Sequence, residues 1–242
     1  MAESIYVRLK ERFADICREH GLMDENIQIQ ARVLSTHEAI GHPEADDFPL
    51  QKGKERLMQA DFFDAAGQAF SDRCGDFSGP LRDIVAMSLT NNYRRAIFVA
   101  ALNAVMRHLK KASRTIHCRN EEPAECAGEL VTYIRKQYGN VRIMQAGFQP
   151  EMVAQLSAGF DYRIVDLDPD NIGTTKRGAL VEGPEAMADA MAWANLLLVT
   201  GTTLVNGTIE KFFNSTPVLF YGTTIAGAAE LMGWDRFCAK SR

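Results

Sequence analysis

Hydrophobic and polar positions change period several times along this chain, and each change marks an element. Over residues 4–19, Ile5, Leu9, Phe13 and Ile16 recur at three- and four-residue steps. That spacing predicts an opening helix with Ser4 as its cap, ended by Gly21. Residues 26–36 then alternate apolar and polar side chains, as a strand with one wet face does. A polar piece over 37–53 is too rich in ionisable groups to be a plain turn. Residues 56–64 and 67–71 predict two short elements carrying Phe62, Phe63 and Phe70. Residues 76–80 read as a loop leading to a helix from Leu81, with Pro80 at its entry. Residues 93–109 are Ala-rich and apolar on most sides, which predicts a helix buried between layers.

The second half has a different rhythm. Residues 113–123 form a junction, after which a helix runs to Tyr138 with Asn120 as candidate cap and Gly139 as its end. Next come a strand over 141–146, the loop 147–150, a helix over 151–157, a strand over 162–166 and a polar loop to Gly178. A helix over 184–193 leads to the apolar run Leu196-Leu-Leu-Val-Thr200, which ends in Gly201-Thr-Thr-Leu-Val-Asn-Gly-Thr208. A short, fully apolar run opening through a Gly/Thr-rich turn into helical periodicity predicts a buried parallel strand, a loop and a crossover helix. The pattern repeats: Val218-Leu-Phe-Tyr221 is followed by Gly222-Thr-Thr-Ile225. Strands alternating with helices imply parallel βαβ units. The expected fold class is therefore α/β: an α+β unit over residues 1–112, then a Rossmann-like parallel-sheet unit over 113–242.

Composition narrows the partners. With 242 residues, 46% hydrophobic and 24% charged, the chain can bury a sizeable core. A formal net charge of −4 carries no footprint for nucleic acid. The densest basic cluster, Arg107, Lys110, Lys111 and Arg114, reads as a solvated helix end. The N-terminus lacks the apolar stretch of a signal peptide, and no run reaches the ~18 residues that span a bilayer. A cytoplasmic protein with no nucleic-acid or membrane partner is expected. Its five cysteines, odd in number and scattered, point to reduced thiols rather than a disulfide framework. Oligomeric state is left open, a homo-oligomer included.

Candidate chemistry follows from where loops fall. In parallel sheets, ligands bind beyond the carboxyl ends of the strands. This makes Gly201, Thr202, Thr203, Asn206 and Thr208, with Gly222, Thr223 and Thr224, candidate ligand contacts facing one ligand. The alternative is that Gly and Thr only shape and cap strand-to-helix turns. The loop Gly147-Phe-Gln149-Pro150 has one glycine where a dinucleotide fingerprint has three, so NAD or FAD bound in the usual way is not expected, and Gln149 becomes a candidate contact. Asp166 or Asp168 stands where ribose hydroxyls are held in nucleotide sites. In the loop Asp166-Leu-Asp168-Pro-Asp170-Asn171-Ile-Gly173, alternating carboxylates suggest calcium, but the sixth position is Asn171 and the twelfth Arg177, which excludes an EF-hand. Two readings remain for Asp166, Asp168 and Asn171: a self-bonded loop, or oxygen donors that grip hydroxyls or a hard cation. His117 and Cys118, near Glu121 and Glu122, combine ligand types of borderline metals without any zinc motif. They read as junction structure, as ligand or metal contacts, or as a nucleophile and base. A divalent metal is thus the candidate cofactor, with His117, Cys118 and Asp166 as its candidate ligands. His37, Glu38, His42, Glu44, Asp46 and Asp47 form a further ionisable cluster, and Lys52 and Lys54 flank Gly53.

Several stretches together resemble a known family. They are residues 49–58 (Pro-Leu-Gln-Lys-Gly-Lys-Glu-Arg-Leu-Met), 67–72 (Gly-Gln-Ala-Phe-Ser-Asp), 101–109 (Ala-Leu-Asn-Ala-Val-Met-Arg-His-Leu), His117-Cys118 with Glu121-Glu-Pro123, the loops 166–173 and 200–208, and Phe237-Cys238. In order along the chain, they are similar to the bacterial and archaeal family named Putative heavy-metal chelation. The resemblance implies an enolase N-terminal-like domain joined to a Rossmann-like domain, with a small-ligand site in the cleft between them. It implies no enolase activity, because the barrel and magnesium ligands of that chemistry are missing. Two functions stay open: a protein that binds a metal or metal chelate, and a lyase or transferase acting on a nucleotide-like or phosphorylated metabolite in the biosynthesis of a chelating cofactor.

Overall fold

A computed structural model describes residues 3–30 and 55–242. The ionisable cluster from His37 to Asp47, Lys52, Lys54 and the end of the strand expected over 26–36 lie outside these residues. Helix α1 (Ile5–Glu19) has Ser4 as its cap, whose hydroxyl accepts from the Tyr6 amide, and buries Leu9, Phe13 and Cys17. Strand β1 (Asn26–Gln30) buries every second residue. It pairs antiparallel with β2 (Arg56–Phe62), which pairs with β3 (Ala65–Ser71). The other edge of β1 is covered by β4 (Phe77–Pro80), a strand where the sequence suggested a loop. Phe-Ser-Gly-Pro is poor strand chemistry, and only pairing with β1 makes it one. Among the described residues the result is a four-stranded sheet ordered β3-β2-β1-β4.

After the short helix α2 (Leu81–Ala86), helix α3 (Asn92–His108) is buried without interruption from Ala96 to Met106. Asn91 caps it by accepting from the Arg94 amide. One face of α3 packs on β2 and β3; its small residues allow the backbones to close together. At Gly67 an added Cβ would run into the backbone nitrogen of Ala104, which is why a glycine stands in β3 there.

Helix α4 (Glu122–Tyr138) follows, with Glu121 rather than Asn120 at its cap, and Asn120 takes a left-handed φ of 54° one residue earlier. The second sheet comprises β5 (Ile143–Ala146), β6 (Tyr162–Val165), β7 (Thr175–Lys176), β8 (Ala179–Glu182), β9 (Leu196–Thr200), β10 (Val218–Tyr221) and β11 (Arg236–Phe237). Its order is β11-β10-β9-β5-β6-β8-β7, parallel throughout except for β7. The chain moves outward from β5 through β6 to β8, then returns to build β9, β10 and β11 on the other side. The order therefore reverses between β5 and β9, and a crevice opens beyond their carboxyl ends. The hairpin β7–β8 replaces the plain loop expected up to Gly178, and the two-residue β11 is too short to announce itself in sequence.

Helices α5 (Pro150–Gly159), α6 (Met187–Trp193), α7 (Thr202–Asn206) and α8 (Ala226–Met232) complete the chain. The crossover after Gly201 is not one long helix: α7 has five residues and is followed by a 3-10 turn over Ile209–Phe212. Gly207, at φ 80°, ends α7. Helices α7 and α8 cover the remaining faces of α3, so one hydrophobic core runs from Ile5 and Phe13 through α3 to Val199, Phe220 and Ala229. Among the described residues, no helix is long and apolar enough to cross a membrane.

Candidate functional site

The loops at the reversal point approach each other closely. Gly147, just after β5, has φ 93°, and a Cβ there would lie 2.6 Å from Thr200 Cγ2. Gly201, just after β9, would place a Cβ 2.7 Å from the Ile225 nitrogen. The two Gly-Thr-Thr loops are thus packed on one another at the same edge, as adjacent parallel strands require. Between them and the four-stranded sheet lies a cleft of about 600 Å³, a size usual for small-molecule sites.

The ligand and metal candidates read from the sequence all line this cleft: Gln149, Asp166, Asp168, Asn171, Gly201, Thr202, Thr203, Asn206, Thr208, Gly222, Thr223, Thr224, His117 and Cys118. Their hydrogen bonds divide them by role. Thr203 is buried and donates to the Thr200 carbonyl at 2.7 Å, which fastens the turn. Gln149 Oε1 accepts from the Met152 amide at 2.5 Å and caps α5. Thr224 Oγ1 accepts from the Phe70 amide at 3.1 Å, tying this loop to β3. Thr208 donates to Asn206 Oδ1 at 2.6 Å. The hydroxyls of Thr200 and Thr202 lie 3.1 Å apart. Thr223 is the exception: its hydroxyl is buried and has no hydrogen-bond partner among the described residues.

Asp166 anchors two loops. Its carboxylate accepts from the Phe148 amide at 2.7 Å and the Asp168 amide at 2.7 Å, with Asn171 Nδ2 at 3.4 Å. Asn171 in turn accepts from Lys176 Nζ at 2.5 Å. Beneath the crevice, Tyr162 donates to Gln145 Oε1 at 2.9 Å, Gln145 Nε2 donates to the Gly147 carbonyl at 2.9 Å, and Tyr221 donates to that carbonyl at 2.8 Å. Burial pushes both phenols above their ordinary range, so they act as fixed donors.

His117 is oriented from three sides. Its amide donates to Gln68 Oε1 at 2.8 Å, its ring meets Phe70 edge-on with centroids 5.2 Å apart, and Nδ1 lies 2.5 Å from the Cys118 carbonyl. A carbonyl only accepts, so Nδ1 carries the hydrogen and Nε2 keeps a lone pair. Burial lowers the imidazole pKa to about 4, so the ring is neutral at ordinary pH. The Cys118 thiol is pushed up by burial, and Cys238 and Cys126, which also line the cleft, act in the same direction. Cys118 is therefore a thiol rather than a thiolate, which argues against the nucleophile reading.

Sequence reasoning missed the wall contributed by the four-stranded sheet. Arg56 and Ser71 are the last pair of β2 and β3, and Glu55 and Asp72 leave the sheet beyond them into the cleft. Burial raises the Glu55 carboxyl to about 7, and the carboxylates of Asp166, Asp72 and Asp168 add to that rise. Glu55 and Asp72 fall within stretches 49–58 and 67–72 that carry the family resemblance, but no periodicity gives either a role, because their neighbours in the site come from distant segments. Lys211 and Ser241 also line the cleft without having been singled out. Among the described residues, no three His, Cys, Asp or Glu side chains are grouped so as to hold a metal ion.

Residues 129–228 match the model of the DUF364 family, described as Putative heavy-metal chelation. The match covers β5 to β10 and both Gly-Thr-Thr loops. The fold is similar to that of a DUF364 protein of unknown function from Pyrococcus horikoshii, at 16% identity, over 89% of this chain and 79% of that one, with a TM-score of 0.52. It is also similar to a DUF364 protein of unknown function from Desulfitobacterium hafniense DCB-2, at 13% identity, over 73% of this chain and 72% of that one, with a TM-score of 0.51. These likenesses show a shared mixed α/β fold with a mostly parallel sheet. No curated protein matches the chain significantly.

Proposed function

We propose that the protein binds a small metal-chelating metabolite, or its metal complex, in the cleft between an enolase N-terminal-like domain over residues 1–112 and a Rossmann-like domain over 113–242. The metal is cargo, and the organic chelator supplies most of its ligands. The observation that carries this reading is the convergence of both Gly-Thr-Thr loops, the Asp166 loop and the His117-Cys118 connector on one cleft that holds no closed donor set among the described residues. A bare ion needs such a set, whereas a chelate needs hydrogen-bond donors and one or two open coordinating atoms. Thr202, Asn206, Thr208 and Thr223 supply hydroxyl and amide groups, and His117 Nε2 supplies an open lone pair. The family description over residues 129–228 supports the same direction. Neither nucleic acid nor a membrane enters this reading.

The test is mass spectrometry of metals and small molecules on protein purified without added chelator. A metal and an organic ligand are expected together in comparable amounts, both reduced in the His117→Ala, Cys118→Ala double variant. Protein carrying neither, and not stabilised by any metal chelate, overturns the reading.

A second reading is favoured by Glu55. A carboxyl pKa of about 7 suits a group that gives or takes a proton near neutrality. It fits a lyase or transferase acting on a nucleotide-like or phosphorylated metabolite in the biosynthesis of a chelating cofactor. Thermal stabilisation by nucleotides that persists in chelator would favour it.

A further inference from the structure

A second pocket, of about 460 Å³, lies away from the cleft and is lined by Arg107, Lys110, Lys111, Ala112, Ser113, Arg114, Glu230 and Arg242. Five of these side chains are cationic and one is anionic, in a chain with 27 Lys and Arg against 31 Asp and Glu. Basic residues in the last turn of a helix complement its dipole, which accounts for Arg107 at the end of α3. It does not account for Arg114 or Arg242, which reach the pocket from the connector and from beyond β11.

Arg236 stands behind Arg114; burial lowers its pKa below the ordinary value, and the charge of Arg114 acts in the same direction. Arg242 is engaged by Glu122 at 2.9 Å, and Arg107 donates to Thr115 Oγ1 at 3.1 Å, so both are held in place. Lys110, Lys111 and Arg114 are exposed. Lys110 and Arg114 also adopt left-handed backbone, at φ 55° and 59°. Glycine is the residue that costs least in that conformation, and the chain places cationic side chains there instead. Nor is the connector loose: Arg236 donates to the carbonyls of Ser113 at 3.3 Å and Arg114 at 2.7 Å, and Arg242 exchanges backbone hydrogen bonds with Ile116.

We propose that this pocket is a second ligand site, which takes a small molecule bearing a chain of phosphate groups. Five cationic residues lining one concave space suit a ligand with several negative oxygens close together, for which guanidinium and ammonium groups are the usual partners. A single phosphate would engage too few of them, and a nucleic-acid strand would need an extended basic track rather than one pocket.

The test is isothermal titration of the purified protein with sodium tripolyphosphate, orthophosphate and a short single-stranded oligonucleotide, at low and moderate salt. Tripolyphosphate should bind, and orthophosphate at least about tenfold more weakly, since each charge-assisted hydrogen bond that a smaller anion fails to make costs roughly that factor. Lys111→Ala with Arg114→Ala should weaken tripolyphosphate about a hundredfold, because two cationic donors are removed, and flatten its salt dependence. Lys136→Ala, which removes an exposed cation that lines neither pocket, should leave it unchanged. If the double variant loses thermal stability, Lys111→Glu alone, at an exposed position, should weaken tripolyphosphate in its place. Absence of tripolyphosphate binding, equal binding in wild type and variant, or an oligonucleotide that outcompetes tripolyphosphate overturns the proposal.

Discussion

The side-chain amide nitrogen of Asn103 lies 3.2 Å from the carbonyl oxygen of Thr223. From the same buried side chain, Nδ2 also reaches the carbonyls of Gln68 at 2.8 Å and Thr224 at 3.1 Å, and Oδ1 accepts from the Gly227 amide at 2.7 Å. One residue of α3 thus fastens β3 to the second Gly-Thr-Thr loop. Replacing it with leucine, of the same branched shape though bulkier, would leave these backbone groups unpaired in the core. A loss of about 3 kcal/mol or more is expected, because each buried unsatisfied group costs ~1–3 kcal/mol. Urea unfolding should show a lower midpoint with an unchanged slope.

Thr223→Val should do the reverse to the ligand-free protein. Its buried hydroxyl lacks a partner among the described residues, and valine keeps the shape. Unfolding free energy should stay level or rise by up to ~1 kcal/mol. Affinity for whatever metal chelate the wild type binds should fall, and a calorimetric titration beside the melting curve reads both changes.

Glu55 and His117 make opposite contributions to the pH dependence of stability. Glu55 is raised from 4.5 to about 7, so its contribution is full below pH 4.5 and is lost as pH rises towards 7. His117 is lowered from 6.5 to about 4, so its contribution is present above pH 6.5 and is lost as pH falls towards 4. Between about pH 4.5 and 6.5 the two largely offset each other. Glu55→Gln should therefore unmask a stability that climbs with pH across that window, by ~2–3 kcal/mol, and His117→Asn one that declines. Denaturation midpoints from pH 4 to 7.5 would show the slopes diverging.

Gly201→Ala and Gly222→Ala separate crowding from backbone strain. At Gly201 the new methyl meets the Ile225 backbone nitrogen, which cannot swing aside. At Gly222 the space is open and only φ 93° opposes a side chain. Both should cost ~1–2 kcal/mol, but only Gly201→Ala should force the two loops apart. Amide hydrogen exchange over residues 222–228 should accelerate in Gly201→Ala and not in Gly222→Ala.

The loops after β5, β9 and β10 were legible because a run such as Leu196-Leu-Leu-Val followed by Gly-Thr-Thr encodes a parallel strand and the turn beyond its carboxyl end, which is where the cleft lies. Asp166 was legible for the same reason, although its carboxylate proves to be spent on the Phe148 and Asp168 amides. Glu55 and Asp72 were not legible. They reach the crevice only because α3 holds the four-stranded sheet against the parallel one, and no local periodicity records that packing. Strand β4 was hidden because its pairing with β1 overrides the propensities of Ser78, Gly79 and Pro80. The helix expected after Gly201 was interrupted at Gly207, whose left-handed backbone turns the chain before a full crossover helix can form.

The burial of α3 on every side bears on how a ligand enters. A two-lobed protein that closes like a jaw needs a hinge and two cores able to part. Here the same helix supplies side chains to the packing beneath both sheets, so swinging them apart would wet Ala96 through Met106. For a ligand of the proposed kind, admission and release would fall to the loops at the rim, and the cleft walls should keep their spacing whether empty or filled.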